Sequence, residues 1–326
     1  NLKLAVNHNF LFLPSYENLR RQAADGTLGK LDQITINWLF PLGLIQFGPF
    51  NNWILKKPEN LFFEVGPHLL AFVIDLVGPL DHIQTNISHP IDLPGGSRVY
   101  RRWHVHGMKG NTVVDLNLSV LPGYGDRSVT VHGHGATAKC DFARNLYYRD
   151  EPSGHGLVTD NLITTLSVAR QLAINGVANF FKAVTNTLKK APAANPYGEC
   201  IERSIRTFYS ADGGQADSRL TARFGINIIR ACEQIVQQPN FEPAENVSNK
   251  WTVNSPPQAP TVLVIGGTGF IGKYLVEALV ARGYGVRVVT RDMSSGQIAL
   301  AGLPVELVQG DLADPSFVDE ALTGIT

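Results

Sequence analysis

Two groups of residues have types and spacings suited to chemistry. In the segment ENLFFEVGPHLLAFVIDLVGPL, Glu64 and His68 lie four apart. On a helix they share a face, and a carboxylate beside an imidazole orients the ring and raises its basicity, which suits removal of a proton from a substrate hydroxyl. The same spacing fits a capping glutamate and a histidine satisfied within a core, and spacing alone leaves both open. The second group acts through the backbone. In TVLVIGGTGFIGKYL, Gly266, Gly269 and Gly272 follow the apolar run 261–265 and open an amphipathic helix carrying Leu275, Leu279 and Val280 as far as Gly283. A second apolar run, Val286 to Thr290, completes a strand–turn–helix–strand unit. Glycine is required where the chain turns tightly, approaches a pyrophosphate and packs helix on strand. The helix N-terminus at Phe270 and Ile271 offers free amides and the positive end of its dipole to the phosphates.

The residue after the second strand selects the cofactor, because a carboxylate there bonds the ribose hydroxyls of NAD. Thr290 occupies that position and Arg291 follows, with Asp292 beside it. A guanidinium pairs with a ribose 2′-phosphate through two donors, so the expected cofactor is NAD(P), with NADP favoured for this rear region. His104 and His106, and likewise His132 and His134, sit two apart on expected strands. Each pair therefore shares a face, but no motif supplies a third ligand, so no metal site is expected.

The elements that position these groups follow from composition and pattern. The chain has 326 residues, with 28 Lys and Arg against 28 Asp and Glu, so neither a basic field nor an acidic tail marks a nucleic-acid partner. The apolar run Leu69 to Leu80 is too short and interrupted to span a bilayer. Three widely separated cysteines and the absence of a signal-peptide pattern at NLKLAVNHNF fit a cytoplasmic protein. Strands are expected at Gln33–Leu39, Val99–His106, Thr112–Val120 and Ser128–His132, and helices ending near Gly26 and over Leu61–Val77, Leu157–Lys190, Glu199–Tyr209 and Ser218–Gln238. On the long helix, Leu162, Leu166, Ala169 and Ala173 share one face. Residues 239–260, rich in proline and polar residues, read as a linker.

Family resemblances extend this reading. GGTGFIG followed by GDLAD resembles short-chain dehydrogenases of the extended or atypical type, which include nucleotide-sugar epimerases and dehydratases. The resemblance implies that Asp311, with Leu312 beside it, meets the adenine, and that Asp314 and Pro315 open the next helix. The front of the chain resembles the Gfo/Idh/MocA oxidoreductases, which dehydrogenate sugars and polyols with NAD(P). It does so in LAVNHNFLFLPSYENLRRQAADGTLGKLDQITI, the acidic-x-Gly-x-His stretch, VTVHGHGATAKCD and IERSIRTFYSADGGQADSRLTARFGINIIRACEQI. That resemblance gives His68 the role of proton acceptor and puts Glu64 where the family has aspartate, with Leu11 where many members have arginine. It also implies a lysine and a Rossmann domain upstream of Asn1.

The expected fold class is therefore α/β and α+β. An antiparallel or mixed open sheet with helices (1–238) is followed by the linker and by the start of a parallel Rossmann sheet (261–326). The expected function is that of a window from a bifunctional NAD(P)-dependent oxidoreductase acting on a sugar, polyol or nucleotide sugar. It would be a homo-oligomer through the front sheet, with no nucleic-acid or membrane partner. A non-catalytic oligomerising scaffold and an NADP-sensing module are the alternatives.

Overall fold

The computed structural model describes residues 4–47, 50, 52–93, 97–120, 125–188, 195–210, 217–242, 259–291 and 293–325. Asp292 and residues 243–258 of the expected linker lie outside the described residues. By internal contacts the chain divides into two compact units. The first comprises Asn1–Pro41, Leu61–His89 and Tyr100–Asn240, and the second Leu42–Asn60, Pro90–Val99 and Phe241–Thr326.

In chain order, a 3-10 turn (Asn9–Phe12) precedes α1 (Pro14–Ala24), β1 (Leu31–Leu39), α2 (Gly43–Phe47), α3 (Trp53–Lys56) and α4 (Asn60–Val77). Then come β2 (His82–Leu93), β3 (Ser97–Lys109), β4 (Thr112–Ser119), β5 (Asp126–Gly133), β6 (Thr137–Asp141) and β7 (Leu146–Asp150). The helices α5 (Leu157–Leu188), α6 (Pro196–Ser210) and α7 (Ala222–Val236) follow. The sheet order is β2-β3-β4-β1-β5-β6-β7. Within it β1 runs parallel to β4 and antiparallel to β5, so the sheet is mixed. Alternation puts Ile34, Ile36 and Trp38, Val114, Leu116 and Leu118, and Val129 and Val131 into the core. The opposite face is polar and bonded to itself: Gln33 donates to Asp115, Asn37 to Asp126 and Asn117 to Asn37, all at 2.9 to 3.0 Å.

The structure departs from the sequence reading at one strand pair and extends it at two further elements. β2, where no strand was expected, is an edge strand: Ile83, Thr85 and Ile87 alternate with exposed His82, Gln84 and Asn86, Pro90 is tolerated, and His89 takes a positive φ of 60°. His134 is not on a strand with His132, since β5 ends at Gly133 and the chain turns there. The shared face of Leu162, Leu166, Ala169 and Ala173 on α5 points to solvent, and none of that helix's residues is buried. α4, by contrast, buries ten of its residues, among them Leu61, Phe62, Val65, Leu69 and Phe72. By length and composition α4 alone among the described helices is apolar enough to cross a membrane, and 56% of it lies inside the fold, so the core accounts for its composition.

In the second unit, β8 (Val262–Ile265), α8 (Phe270–Ala281), β9 (Val286–Thr290), α9 (Met293–Ala299), β10 (Glu306–Gln309) and α10 (Pro315–Leu322) form a parallel sheet in the order β10-β9-β8. Val264, Val276, Val286, Val288, Leu300 and Val305 make its core. β8 is an edge strand and is less buried than its unbroken apolar run suggests; Ile265 is 62% exposed.

Candidate functional site

The rear cradle is built by backbone geometry. Gly266 takes φ +74°, and its carbonyl accepts from Gly269 N at 3.0 Å, turning the chain from β8 into α8. A Cβ on Gly272 would stand 2.0 Å from the Gly266 oxygen, so helix and turn approach too closely for any side chain. Gly267, absent from the expected set, has the same constraint: a Cβ there would meet Val288 at 2.7 Å and Val276 at 3.1 Å. A packing requirement of this kind leaves no spacing signal. Gly269 caps α8 without a side chain, which leaves the amides at Phe270 and Ile271 unobstructed, and both of those side chains are exposed.

Because β8, β9 and β10 are parallel, the residues that follow them gather at the carboxyl edge of the sheet, where doubly wound folds bind ligands. Gly266, Arg291, Asp311 and Leu312 occupy that edge. Arg291 is exposed and its carbonyl accepts from Gln309 Nε2. Asp311 accepts from Ala313 N at 3.0 Å, and Asp314 caps α10 by accepting from Ser316 N. Bare backbone at Gly266 to Gly272, a helix N-terminus and an exposed guanidinium fit a dinucleotide pyrophosphate and its ribose.

The front site is built by side-chain burial. His68 follows Pro67 inside α4. Its ring stacks on Trp38 of β1 at 5.4 Å and meets Phe10 edge-on at 5.2 Å. Phe10 and Trp38 also contact Phe142, and Arg127 lies 5.3 Å over the Trp38 ring. Asn9 donates to Cys200 Sγ of α6, and Tyr197 on the same helix comes within 5.8 Å of Phe10.

Polar groups in this aromatic box are short of partners. Among the described residues, His68 Nδ1 and Trp38 Nε1 in this box, and His8 Nε2 beside Phe224, are buried without a hydrogen-bond partner. Burial lowers the His68 pKa. It also takes His8 down to about 4, helped by the nearby charge of His68. Both rings are therefore neutral at pH 7, each with one acceptor nitrogen.

Glu64 does not join this group. It is exposed, and among the described residues no hydrogen bond or ion pair links it to His68. Their helical offset is enough for the imidazole to turn into the aromatic box while the longer carboxylate keeps its hydration. His8 is near enough for its charge to interact with that of His68, and its ring meets Phe224 of α7 edge-on at 5.7 Å. Its segment, NHNF, carries no helical or strand period to reveal it. Leu11 is fully buried, and the guanidinium near it comes from Arg219, which donates to the Leu11 carbonyl at 2.7 Å. On the sheet's polar face His106 and His104 share Asp115, at 2.9 and 3.6 Å.

Comparison with known proteins assigns the two halves separately. Residues 258–326 match the NmrA-like family. A sterol demethylase protein B from Methylococcus capsulatus is 48% identical over 65 residues, 20% of each chain. A dihydroflavonol 4-reductase from Solanum lycopersicum is 38% identical over 78 residues, 22% of this chain and 21% of the relative. The chain thus spans about a fifth of the length of these relatives. Among solved structures, levoglucosan dehydrogenase in complex with NADH and levoglucosan superposes with a TM-score of 0.53 at 11% identity. The match covers 71% of this chain, a share that residues 259–326 are too few to supply, and 62% of that enzyme. The chain accordingly shares the fold of levoglucosan dehydrogenase over most of its length and matches the NmrA-like family over residues 258–326.

Proposed function

We propose that this chain belongs to an NAD(P)-dependent oxidoreductase that acts on a secondary hydroxyl of a sugar, polyol or nucleotide sugar. In this reading the front unit binds the substrate, the rear unit is a second cofactor site favouring NADP, and residues 239–260 link them. One observation carries the front assignment: His68 and Trp38 stack in one aromatic box, each with a buried polar atom that has no hydrogen-bond partner among the described residues, and His8, near enough for its charge to interact with that of His68, carries a third. Buried polar groups are normally paired, and a hydroxylated ring fits both the unpaired nitrogens and the aromatic faces.

His68 accepts the hydroxyl proton. Burial keeps it unprotonated at neutral pH and so ready to act as base, at the cost of some basicity. Trp38 fixes the ring plane of His68 by stacking and offers its indole N–H to a substrate oxygen. His8, neutral for the same reason, supplies a second polar contact. Bound NAD(P)+ would supply the hydride acceptor for the substrate carbon. At the rear, Gly266 to Gly272 and the amides at the start of α8 would hold the pyrophosphate, and Arg291 the 2′-phosphate.

The test is steady-state turnover of the complete protein with NAD+ or NADP+ across a panel of polyols and nucleotide sugars. His68→Ala is expected to lower turnover by about 10²–10⁴-fold with the far-ultraviolet dichroism unchanged. Equal turnover by the variant and the wild type would remove His68 from the chemistry.

A further inference from the structure

The α5 helix inverts the usual arrangement of an amphipathic helix. The amides of Gln171, Asn175 and Asn179 face the protein, and a stripe of apolar residues faces water. Gln171 pairs with the backbone of Arg149 in both directions, at 3.0 and 2.8 Å. Asn175 donates to the Tyr147 carbonyl, and Asn179 to those of Arg144 and Asn145. These amides occupy the free edge of β7 as another strand would. The outward face carries Val158 at 84% exposure, Leu162 at 60%, Leu166 at 59%, Val177 at 55%, Phe180 at 64% and Leu188 at 78%.

The order of residues on that face identifies its occupant. The stripe runs through positions 158, 162, 166, 169, 173, 177, 180, 184 and 188. The intervals read 4-4-3-4 and then 4-3-4-4, the same in both directions about Ala173. An antiparallel copy centred on Ala173 therefore sets Val158 against Leu188, Leu162 against Val184, Leu166 against Phe180 and Ala169 against Val177. The two large pairs Leu162–Val184 and Leu166–Phe180 flank a crossing point made of Ala169, Ala173 and Gly176, where two backbones can approach. Exposed Arg170 falls opposite Gly176, which leaves it room. The large apolar side chains of this face, with Ile174 and Phe181 on its flank, expose on the order of 900 Å², against about 800 Å² per partner in a stable interface. A patch of that size exceeds what a monomer ordinarily leaves in water.

We infer that the exposed face of α5 is a self-association surface that pairs antiparallel, about a two-fold axis at Ala173, with the α5 of a second copy of this chain. The sheet face expected from the sequence to serve this purpose is a separate, polar surface, with Gln33, Asn37, Asp115 and Asn117 in hydrogen bonds across it. The stripe on α5 has no such satisfaction.

Sedimentation equilibrium of the full chain tests this. The expected result is a dimer, with Leu166→Glu/Phe180→Glu weakening self-association by about 100-fold or more at unchanged helicity. An Ala173→Cys variant should form a disulfide-linked dimer under mild oxidation. A Thr165→Cys variant should not, because its copies would lie roughly 24 Å apart along the paired helices, far beyond disulfide reach. The native cysteines 140, 200 and 232 are buried and do not compete. A monomeric wild type overturns the proposal. So does a dimer that persists in the double variant, or cross-linking at Thr165→Cys equal to that at Ala173→Cys.

Discussion

Under the proposed function, the front and rear sites would bind a small molecule in opposite ways. At the rear the ligand surface is backbone, bared by glycines whose side chains would collide with Gly266 or Val288. At the front it is side chain, shaped by the packing of Phe10, Trp38 and His68 from elements far apart in sequence. A backbone site is fixed by local spacing and tolerates little change at those few positions. A side-chain site is fixed by packing and spreads its sensitivity over many residues.

Gly272→Ala sharpens that contrast most. Its Cβ would fall 2.0 Å from a backbone oxygen that no rotamer change can move. NADP affinity measured by calorimetry should drop by about 3 kcal/mol or more, whereas Gly266→Ala, with open space but φ +74°, should cost about 1–2 kcal/mol. Equal losses would show that strain, not close approach, governs the turn. Next in size is Arg291→Ala, expected to weaken NADP by about 1.5–3 kcal/mol while leaving NAD nearly unchanged. Equal weakening of both cofactors would mean that Arg291 never reaches a 2′-phosphate.

The front site should answer to pH where the rear does not. The folded-state pKa of His8, about 4, lies below the ordinary 6.5, so the unfolded chain binds its proton first as pH falls. Stability from this group is complete above pH 6.5 and is lost as pH drops from there toward 4. Between pH 7 and pH 5 the wild type should lose about 2 kcal/mol relative to His8→Gln in urea unfolding. Parallel losses in both proteins would place His8 in water. The smallest effect belongs to Glu64→Gln. An exposed carboxylate off the aromatic box should change stability by less than about 0.5 kcal/mol, and turnover correspondingly little. A loss of turnover as large as that of His68→Ala would restore the carboxylate–imidazole pair.

These differences also explain what could be read from the chain alone. β9 begins and ends at Val286 and Thr290 as its apolar run indicates, and Asp314 caps α10, because both depend on neighbours in sequence. His68 was legible as a position but not in its company. The offset to Glu64 is local, while the rings that hold the imidazole arrive from β1, from the turn at Phe10 and from the residue after β6. His8 left no periodic signal. The apolar stripe on α5 was legible as a stripe, yet the rule that such a stripe faces the core fails there. The amides at Gln171, Asn175 and Asn179 find unpaired backbone on the edge strand β7, and that pairing turns the helix outward.

The claim that burial makes His68 the proton acceptor is tested most directly by the pH dependence of kcat/KM for polyol oxidation by the complete protein. The account predicts an acid limb with its midpoint below 6.5, because burial lowers the His68 pKa, and a plateau through neutrality. In His68→Gln that limb should vanish along with about 10²–10⁴-fold of the rate. A limb at or above 6.5, or one that survives unchanged in His68→Gln, would contradict it.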